Sequence, residues 1–413
     1  MQVLVDENNN KIYGDLSLQD SIKIHFGNGF NNTVFFAGKS RGGFQILFGG
    51  YNKIPVSNSL VFIGDNSTLF AGDLNIFSDC VFYVGRNTDM GNSYFWLSDC
   101  QNCIIGDDTM MSWELWFRTT DQHMIYENEK NQRVNFGKSI FIGDHVWGGF
   151  ASSFMKGVQA FSGSIIGNAS IITAKKFYSN TINAGNPCKE RKKEVFWTRT
   201  APDGYNKLSL KEFDKFSGDD FKFSFEKDKF LNPSLLDKSL SSLNTAYEKL
   251  EFVYDYIYNN THKNRFALFE NSDFEECKLY KDESKMPFKE LKFENYETKE
   301  KQINPTQKPN GAVLRVKNQL CYKLGNKIIN AKTFKERLTL PFRLYVLVKE
   351  HRFESKIKEF NIKNGLMPRP LKLEEYSDYK EALKVQNHLS YKLGKVLTGG
   401  GIKSLVRRLL KTI

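Results

Sequence analysis

The sequence predicts a mainly β protein: a parallel β-helix of hexapeptide repeats over 1–200, followed by an α-helical extension and a basic amphipathic helical tail. Three observations predict it. The first is a spacing. Ile63-Gly64-Asp65-Asn66, Val84-Gly85-Arg86-Asn87 and Ile105-Gly106-Asp107-Asp108 share one form, a β-branched residue, a glycine and two polar residues, and stand 21 residues apart. The form returns at Ile142-Gly143-Asp144-His145 and Ile166-Gly167-Asn168-Ala169, which are 24 apart, or four steps of six. Six-residue steps imply three short flat strands per coil, each with an inward aliphatic residue and then a glycine at a tight turn. A spacing of 21 is then a coil of about 18 with a three-residue bulge at one corner. The second observation is negative: the period-two alternation and hairpin signals of a β-sandwich are not clear in this region. The third is a change of regime near Ala201-Pro202-Asp203-Gly204, where short β-branched and aromatic runs give way to longer Lys/Glu/Leu stretches.

The elements follow in order. Through 1–200 the spacing holds, although Ala160-Phe161 breaks its form. The extension spans 201–269, and its clearest helix is 233–260, with Asn232 as the start signal and Pro233 at the first turn. Polar, aperiodic 270–310, with Pro287, Pro305 and Pro309, reads as a linker. The tail, 311–413, holds an internal repeat: Val316-Lys-Asn-Gln-Leu-Cys-Tyr-Lys-Leu-Gly325 returns 69 residues later as Val385-Gln-Asn-His-Leu-Ser-Tyr-Lys-Leu-Gly394, with seven of ten positions unchanged. Val, Leu, Tyr and Leu at offsets 0, 4, 6 and 8 fit one broad helical face. The apolar stretch 338–348 is too short to span a bilayer.

Composition excludes several classes. With 40% hydrophobic residues among 413 the chain is neither disordered nor fibrous, and six cysteines are too sparse for a disulfide framework. The start, Met-Gln-Val-Leu-Val-Asp-Glu-Asn, lacks the basic and apolar parts of a signal peptide, so an intracellular protein is expected. The net charge of +12 is localised: 311–413 carries 23 Lys and Arg against 8 Asp and Glu, net +15, leaving net −3 for 1–310. The tail has charge but no nucleic-acid module, and its Leu, Val and Phe content fits a membrane surface better. Cys100-x-x-Cys103 is half of a zinc pair with no second half, and only His123 and His145 lie where a metal site in the coils could use them, so no metal is expected.

His123 stands out by position. Between the repeats at 105 and 142 lie 37 residues, one coil plus about 19, and His123 falls in the excess. It therefore projects on a loop. Around it runs Arg118-Thr-Thr-Asp-Gln-His123-Met-Ile, then Arg133-Val-Asn135, Ile140-Phe-Ile-Gly-Asp-His-Val-Trp147, Ile171-Ile-Thr and Ala184-Gly-Asn-Pro-Cys-Lys189. This series resembles the left-handed β-helix, hexapeptide-repeat O-acetyltransferases, most closely the sialic acid and polysialic acid O-acetyltransferases of bacterial capsule and lipooligosaccharide loci.

The resemblance implies a site. His123 would be the general base for transfer of acetyl from acetyl-CoA to a sugar hydroxyl, and histidine ordinarily titrates near neutrality. The backbone amide of Phe150 would be the oxyanion donor. Trp147 would border the thioester, although edge packing of an indole explains it equally well. Trp-Gly-Gly-Phe at 147–150 departs from the family pattern, losing an inward aliphatic residue and gaining a bulky one. Lys175, Lys176 and Lys189, with Gly185 and Asn186 of the Ala-Gly-Asn-Pro segment, would meet coenzyme A. Arg118, Arg133, Trp113 and Trp116 would hold the acceptor: guanidinium matches a sialic acid carboxylate and indole stacks on sugar faces. The arginines equally fit the general motif, whose acceptors are often neutral, so the acceptor stays open. The family also implies a homotrimer with the site between subunits. The tail would then hold the enzyme at the cytoplasmic face of the inner membrane. A small soluble acceptor such as a nucleotide sugar, or a non-catalytic β-helix scaffold, remain the alternatives.

Overall fold

The computed structural model describes residues 1–295 without interruption and, beyond them, 312–317, 319–331, 372–376, 378–398 and scattered positions between 333 and 355. The chain divides into two compact units, Met1–Thr298 and Lys299–Ile413.

The first unit winds as a parallel β-helix. On its first face Lys11–Tyr13, Thr33–Phe36, Leu60–Ile63, Val81–Val84, Cys103–Ile105, Ile140–Ile142, Gln159–Ala160 and Lys176–Phe177 pair in parallel, one coil on the next. The second and third faces share a 14-stranded sheet. The repeat seen in the sequence is the register itself: Ile63, Val84, Ile105, Ile142, Ala160 and Phe177 are successive partners. Ala160, where the form breaks, keeps its place in the stack, and Ile166 sits one face further on, opposite Gly148. In the 21-residue coils the surplus lies at the second corner, where Ser67–Ile76 and Asp89–Leu97 run on from the second face to the third as single long strands.

The glycines of the repeat answer to closeness rather than to the turn. A Cβ on Gly64 would stand 2.5 Å from the carbonyl carbon of Gly85, and one on Gly106 2.6 Å from that of Gly143. The left-handed conformation falls two residues later, on Asn66, Asn87, Asp108 and His145, with φ of 56°, 52°, 53° and 51°. Asn and Asp tolerate that region best among non-glycine residues. The intervening aspartates tie the coils together: Asp65, Asp107 and Asp144 accept from the amides of Lys39, Arg86 and Asp107 at 2.7–2.8 Å.

The first face is buried on both sides, with Leu60–Ile63 and Val81–Val84 covered at every position. Inward residues such as Val61, Ile63, Phe82 and Val84 fill the coil interior. The outward row Tyr13, Phe35, Phe62, Tyr83, Ile104 and Phe141 packs beneath Leu236, Leu240, Leu250, Val253 and Ile257 of the extension. Two-sided burial is why these strands read as unbroken apolar runs. Each such phenylalanine stabilises the fold by about 1.5–3 kcal/mol.

The extension departs from the single helix expected over 233–260. Pro233–Ser241 begins as predicted, with the Asn232 side chain accepting from the Ser234 amide, but stops at Ser242. Ala246–Phe252 restarts under a capping box between Thr245 and Glu248 and passes into a wide turn, Val253–Tyr258. Two start signals lie in the stretch, and only the first stood out beside proline. Residues 270–310, expected to be a polar linker, are in their first part packed: Cys277 and Phe288 are buried, and Glu294–Asn295 adds to the first strand, Gln2–Val5. Isolated apolar anchors carry this packing without periodicity. Residues 296–311 lie outside those described.

In the second unit each copy of the repeat is a helix, a break and a second helix, not the single helical face expected. Ala312–Lys317 is followed by Leu320–Ile329, and Tyr379–Asn387 by Leu389–Thr398. Val316 and Val385 end the first helices and are buried together with Ala312 and Ala382. The second helices cross at their glycines: a Cβ on Gly325 would lie 1.7 Å from the Ser390 carbonyl oxygen, and one on Gly394 1.6 Å from that of Cys321. Cys321 and Ser390 are equivalent positions of the repeat, so the contact is reciprocal. Of 338–348, residues 338, 342, 345 and 346 lie outside those described, and Leu344 and Val348 pack against Leu324. Among the described residues no helix is long and apolar enough to cross a membrane.

Candidate active site

The excess between the coils leaves the β-helix at its third corner, after Leu115–Arg118, and returns at Ile140–Ile142, which pairs directly with Cys103–Ile105. The loop is braced from below. Arg133 grips Asp99 with both terminal nitrogens, at 3.0 and 2.7 Å, and Asp99 also accepts from the Gly137 amide at 2.7 Å. The Arg133 hydrogen bond holds the Asp99 carboxyl below the usual range, against a smaller opposing effect of burial. Arg133 is thus committed to the loop rather than offered to an acceptor, as had been expected of it.

His123 is exposed at the rim, and its neighbours are fixed. Its amide donates to the Asp121 carbonyl at 2.9 Å, and its own carbonyl accepts from Asn135 Nδ2 at 2.8 Å. Asp121 in turn accepts from Asn135 Nδ2 at 3.0 Å and from Lys156 Nζ at 2.5 Å, the latter being the chief reason its carboxyl is held low. Backbone pinning with a free ring is what a general base needs. Arg118 donates to Gln122 at 2.8 Å and lies 5.2 Å from the ring of Trp116, which stacks on Tyr94 at 4.8 Å. Trp113 stands edge-on to Phe70 at 4.7 Å. Trp113 and Trp116 are exposed, so an aromatic surface with one guanidinium adjoins the loop.

Trp147 opens the second face, in register with Met110 and Ile165, and is 37% exposed. Its ring lies 5.9 Å from Trp197, which stacks on buried His145 at 4.1 Å. His145 Nε2 donates to the Trp197 carbonyl at 3.0 Å, and Nδ1 faces Asp108 at 2.6 Å. Burial pushes the Asp108 carboxyl up, yet His145 and Arg199 beside it hold it below the usual range. His145 therefore supports the first corner instead of facing a ligand. Phe150 turns the second corner with its ring exposed, and its amide donates to Asn168 Oδ1 at 2.9 Å. His123 and Phe150 thus stand at different corners of the coil within one chain.

Lys175 and Lys176 line, with Lys138, Ser139 and Asp237, a cavity of about 460 Å³ near the third corner, and Lys176 lies 4.0 Å over the Phe274 ring. Lys189 is exposed on Lys189–Lys192, which turns back antiparallel on Ile182–Ala184. Gly185, at φ 109°, donates to Ser170 Oγ at 3.1 Å, and Asn186 is exposed. Two lysines are thus brought together and the third is placed on another strand. Among the described residues no group of three His, Cys, Asp or Glu could hold a metal ion.

A polysialic acid O-acetyltransferase of Neisseria meningitidis is 32% identical over 146 residues, 31% of this chain and 68% of the relative. The chain belongs to the polysialic acid O-acetyltransferase family. It is an acyltransferase whose first unit is a parallel β-helix. A polysialic acid O-acetyltransferase of Escherichia coli is 33% identical over 129 residues, although the matched stretch spans only 42% of that protein. Among solved structures, the polysialic-acid-specific acetyltransferase NeuO is 28% identical, covering 49% of this chain and 93% of its own, with a TM-score of 0.41. Residues 241–400 match a family model described as a domain of unknown function, DUF8374.

Sequence reasoning did not find Asp99, Lys156, Asn168 or Trp197. Asn168 carried a signal, as the polar residue after glycine in Ile166-Gly167-Asn168. Asp99 and Lys156 are far from the loop in sequence and had none.

Proposed function

We propose that the protein transfers acetyl from acetyl-CoA directly to a hydroxyl of a bacterial cell-surface glycan, with sialic acid of a capsule or lipooligosaccharide as acceptor. The observation that carries the proposal is His123, exposed on a loop whose backbone is pinned on both sides of it, in a chain related to polysialic acid O-acetyltransferases. His123 would take the hydroxyl proton as the acceptor oxygen bonds to the acetyl carbonyl carbon. As the carbon–sulfur bond breaks, the departing thiolate would take that proton back, leaving an ester and the coenzyme A thiol. Lys175 and Lys176 suit the coenzyme's phosphates, and exposed Trp116 with Arg118 suits a sugar bearing a carboxylate.

Placement of His123 and Phe150 at different corners favours a homotrimer in which neighbouring chains complete each site. The charge of 311–413 favours an anionic partner, and we assign the tail to the cytoplasmic face of the inner membrane. The test is coenzyme A release by the purified protein with a sialylated oligosaccharide and its desialylated counterpart, beside His123→Ala. Release that needs both sialic acid and His123 is expected. Equal release by wild type and His123→Ala would sink the catalytic assignment; equal use of both oligosaccharides would sink the acceptor.

A further inference from the structure

The amide expected to steady the oxyanion is already engaged. Phe150 N–H donates to Asn168 Oδ1 at 2.9 Å. A peptide nitrogen can only donate, so the oxygen of the carboxamide must face it, and this settles which way Asn168 is turned. Nδ2, with its two N–H groups, points away from Phe150 and has no acceptor among the described residues.

The seat of this carboxamide is built. A Cβ at Gly149 would fall 2.6 Å from Asn168 Oδ1 and 2.7 Å from its backbone nitrogen, so only glycine there admits the side chain. The Ala169 amide returns a hydrogen bond to the Phe150 carbonyl at 2.7 Å, tying the two coils on either side of Asn168. Ser152 and Ser170 both donate to the Gly167 carbonyl, at 3.0 and 2.7 Å. Gly149, which the family pattern shares, thus makes room for the next coil's asparagine, whereas Gly148, which departs from it, faces Met111, whose sulfur a Cβ there would meet at 2.3 Å.

We infer that Asn168 Nδ2 is the side-chain donor to the oxyanion, with the Phe150 amide acting behind it. This rests on the acetyl-transfer reading above. When the acceptor oxygen attacks, the carbonyl π electrons move onto the thioester oxygen, and with Phe150 as the residue the resemblance implies, the donor for that charge lies at the second corner. A carboxamide whose oxygen accepts a hydrogen bond is polarised, and its N–H groups donate more strongly. The negative charge returns to the re-formed carbonyl as the thiolate leaves, so Asn168 neither gains nor loses a proton.

Two substitutions separate this from a simple cap. Asn168→Asp keeps an acceptor for Phe150 but replaces the donor by a carboxylate, and Asn168→Ala removes the side chain and frees the Phe150 amide. If Asn168 is the donor, both lower kcat and kcat/KM together by roughly 10²–10³-fold, the usual effect of losing an oxyanion donor. Coenzyme A affinity by calorimetry and the far-ultraviolet circular dichroism of both stay at wild-type values. An Asn168→Ala enzyme as fast as wild type, or faster, would overturn the inference, because the freed amide would then be the donor and Asn168 only its cover. Loss of rate together with loss of coenzyme A affinity or of the β-helix spectrum would also overturn it, by assigning Asn168 to the scaffold. A wild type that releases no coenzyme A would overturn the acetyl-transfer reading, and this inference with it.

Discussion

At the first corner of the coils charged side chains meet a buried arginine of the extension and are paired; at the third corner they brace a loop from beneath and leave its tip open. Arg265 shows the first condition. It is 1% exposed, meets Asp144 at 2.8 and 2.7 Å and Asp107 at 3.1 Å, and also donates to the carbonyls of Ile257 and Asn260. Burial alone would lower its pKa, but Asp107 and Asp144 outweigh that and raise it well above the ordinary value. His123 shows the second condition, with its backbone pinned and its ring exposed. One corner holds the extension on the β-helix, and the other presents the histidine proposed as the general base. Substitutions at the two should therefore fail in different ways.

His123→Ala should have the largest effect on rate, lowering kcat by roughly 10²–10⁴-fold, as loss of a general base does. Its thermal unfolding should match wild type, because no contact of the fold depends on the ring; a shifted transition would mean that the third corner is structural too. Arg265→Ala should do the reverse, destabilising the first unit by about 3–5 kcal/mol, because Asp144 is left buried without its partner and Asp107 keeps only Arg86. Arg265→Met with Asp144→Asn should recover part of that loss in a denaturant titration. No recovery would mean that the hydrogen bonds to Ile257 and Asn260, rather than the charges, hold the latch.

Arg133→Gln should come next, slowing turnover by about 10–100-fold through a displaced loop while leaving the global transition in place. Its rate loss should be shared by Asp99→Asn and absent from Lys285→Gln, a surface change elsewhere. The smallest effect is that of pH on this brace. A carboxyl held low ionises early, so the contribution of Asp99 is complete above the usual carboxylate range and is lost only as the pH falls below it. Hydrogen exchange across 119–139 should be the same at pH 7 and pH 5 once corrected for the intrinsic rate. In Asp99→Asn it should be faster at both.

Much of the fold was legible because its information is local and repeated. The spacing of Ile63, Val84, Ile105 and Ile142 became the register, and the surplus before Ile142 became the loop. Two features of the repeat were misread for want of the third dimension: that its glycines stand too near the next coil for a Cβ, and that the turn belongs to Asn66 or His145. The break at Ser242 turned on a capping box that a long Lys/Glu/Leu pattern concealed. In the candidate site, the motif pointed to residues but not to what supports them. Arg133 looked free because Asp99 lies 34 residues away in sequence, and the Phe150 amide looked free because Asn168 belongs to the following coil.

The helices laid over the outward row from Tyr13 to Phe141 have a further consequence, one of symmetry. A three-sided prism with one side sealed has two sides left on which copies can meet. Those two sides join at the second corner, where Phe150 and Asn168 lie, and the free side next to the third corner ends at the loop of His123. A ring of copies built on these surfaces, as in the proposed trimer, would bring its seams to His123 and Phe150, so the extension that closes one side would leave only the other two for such copies to meet on.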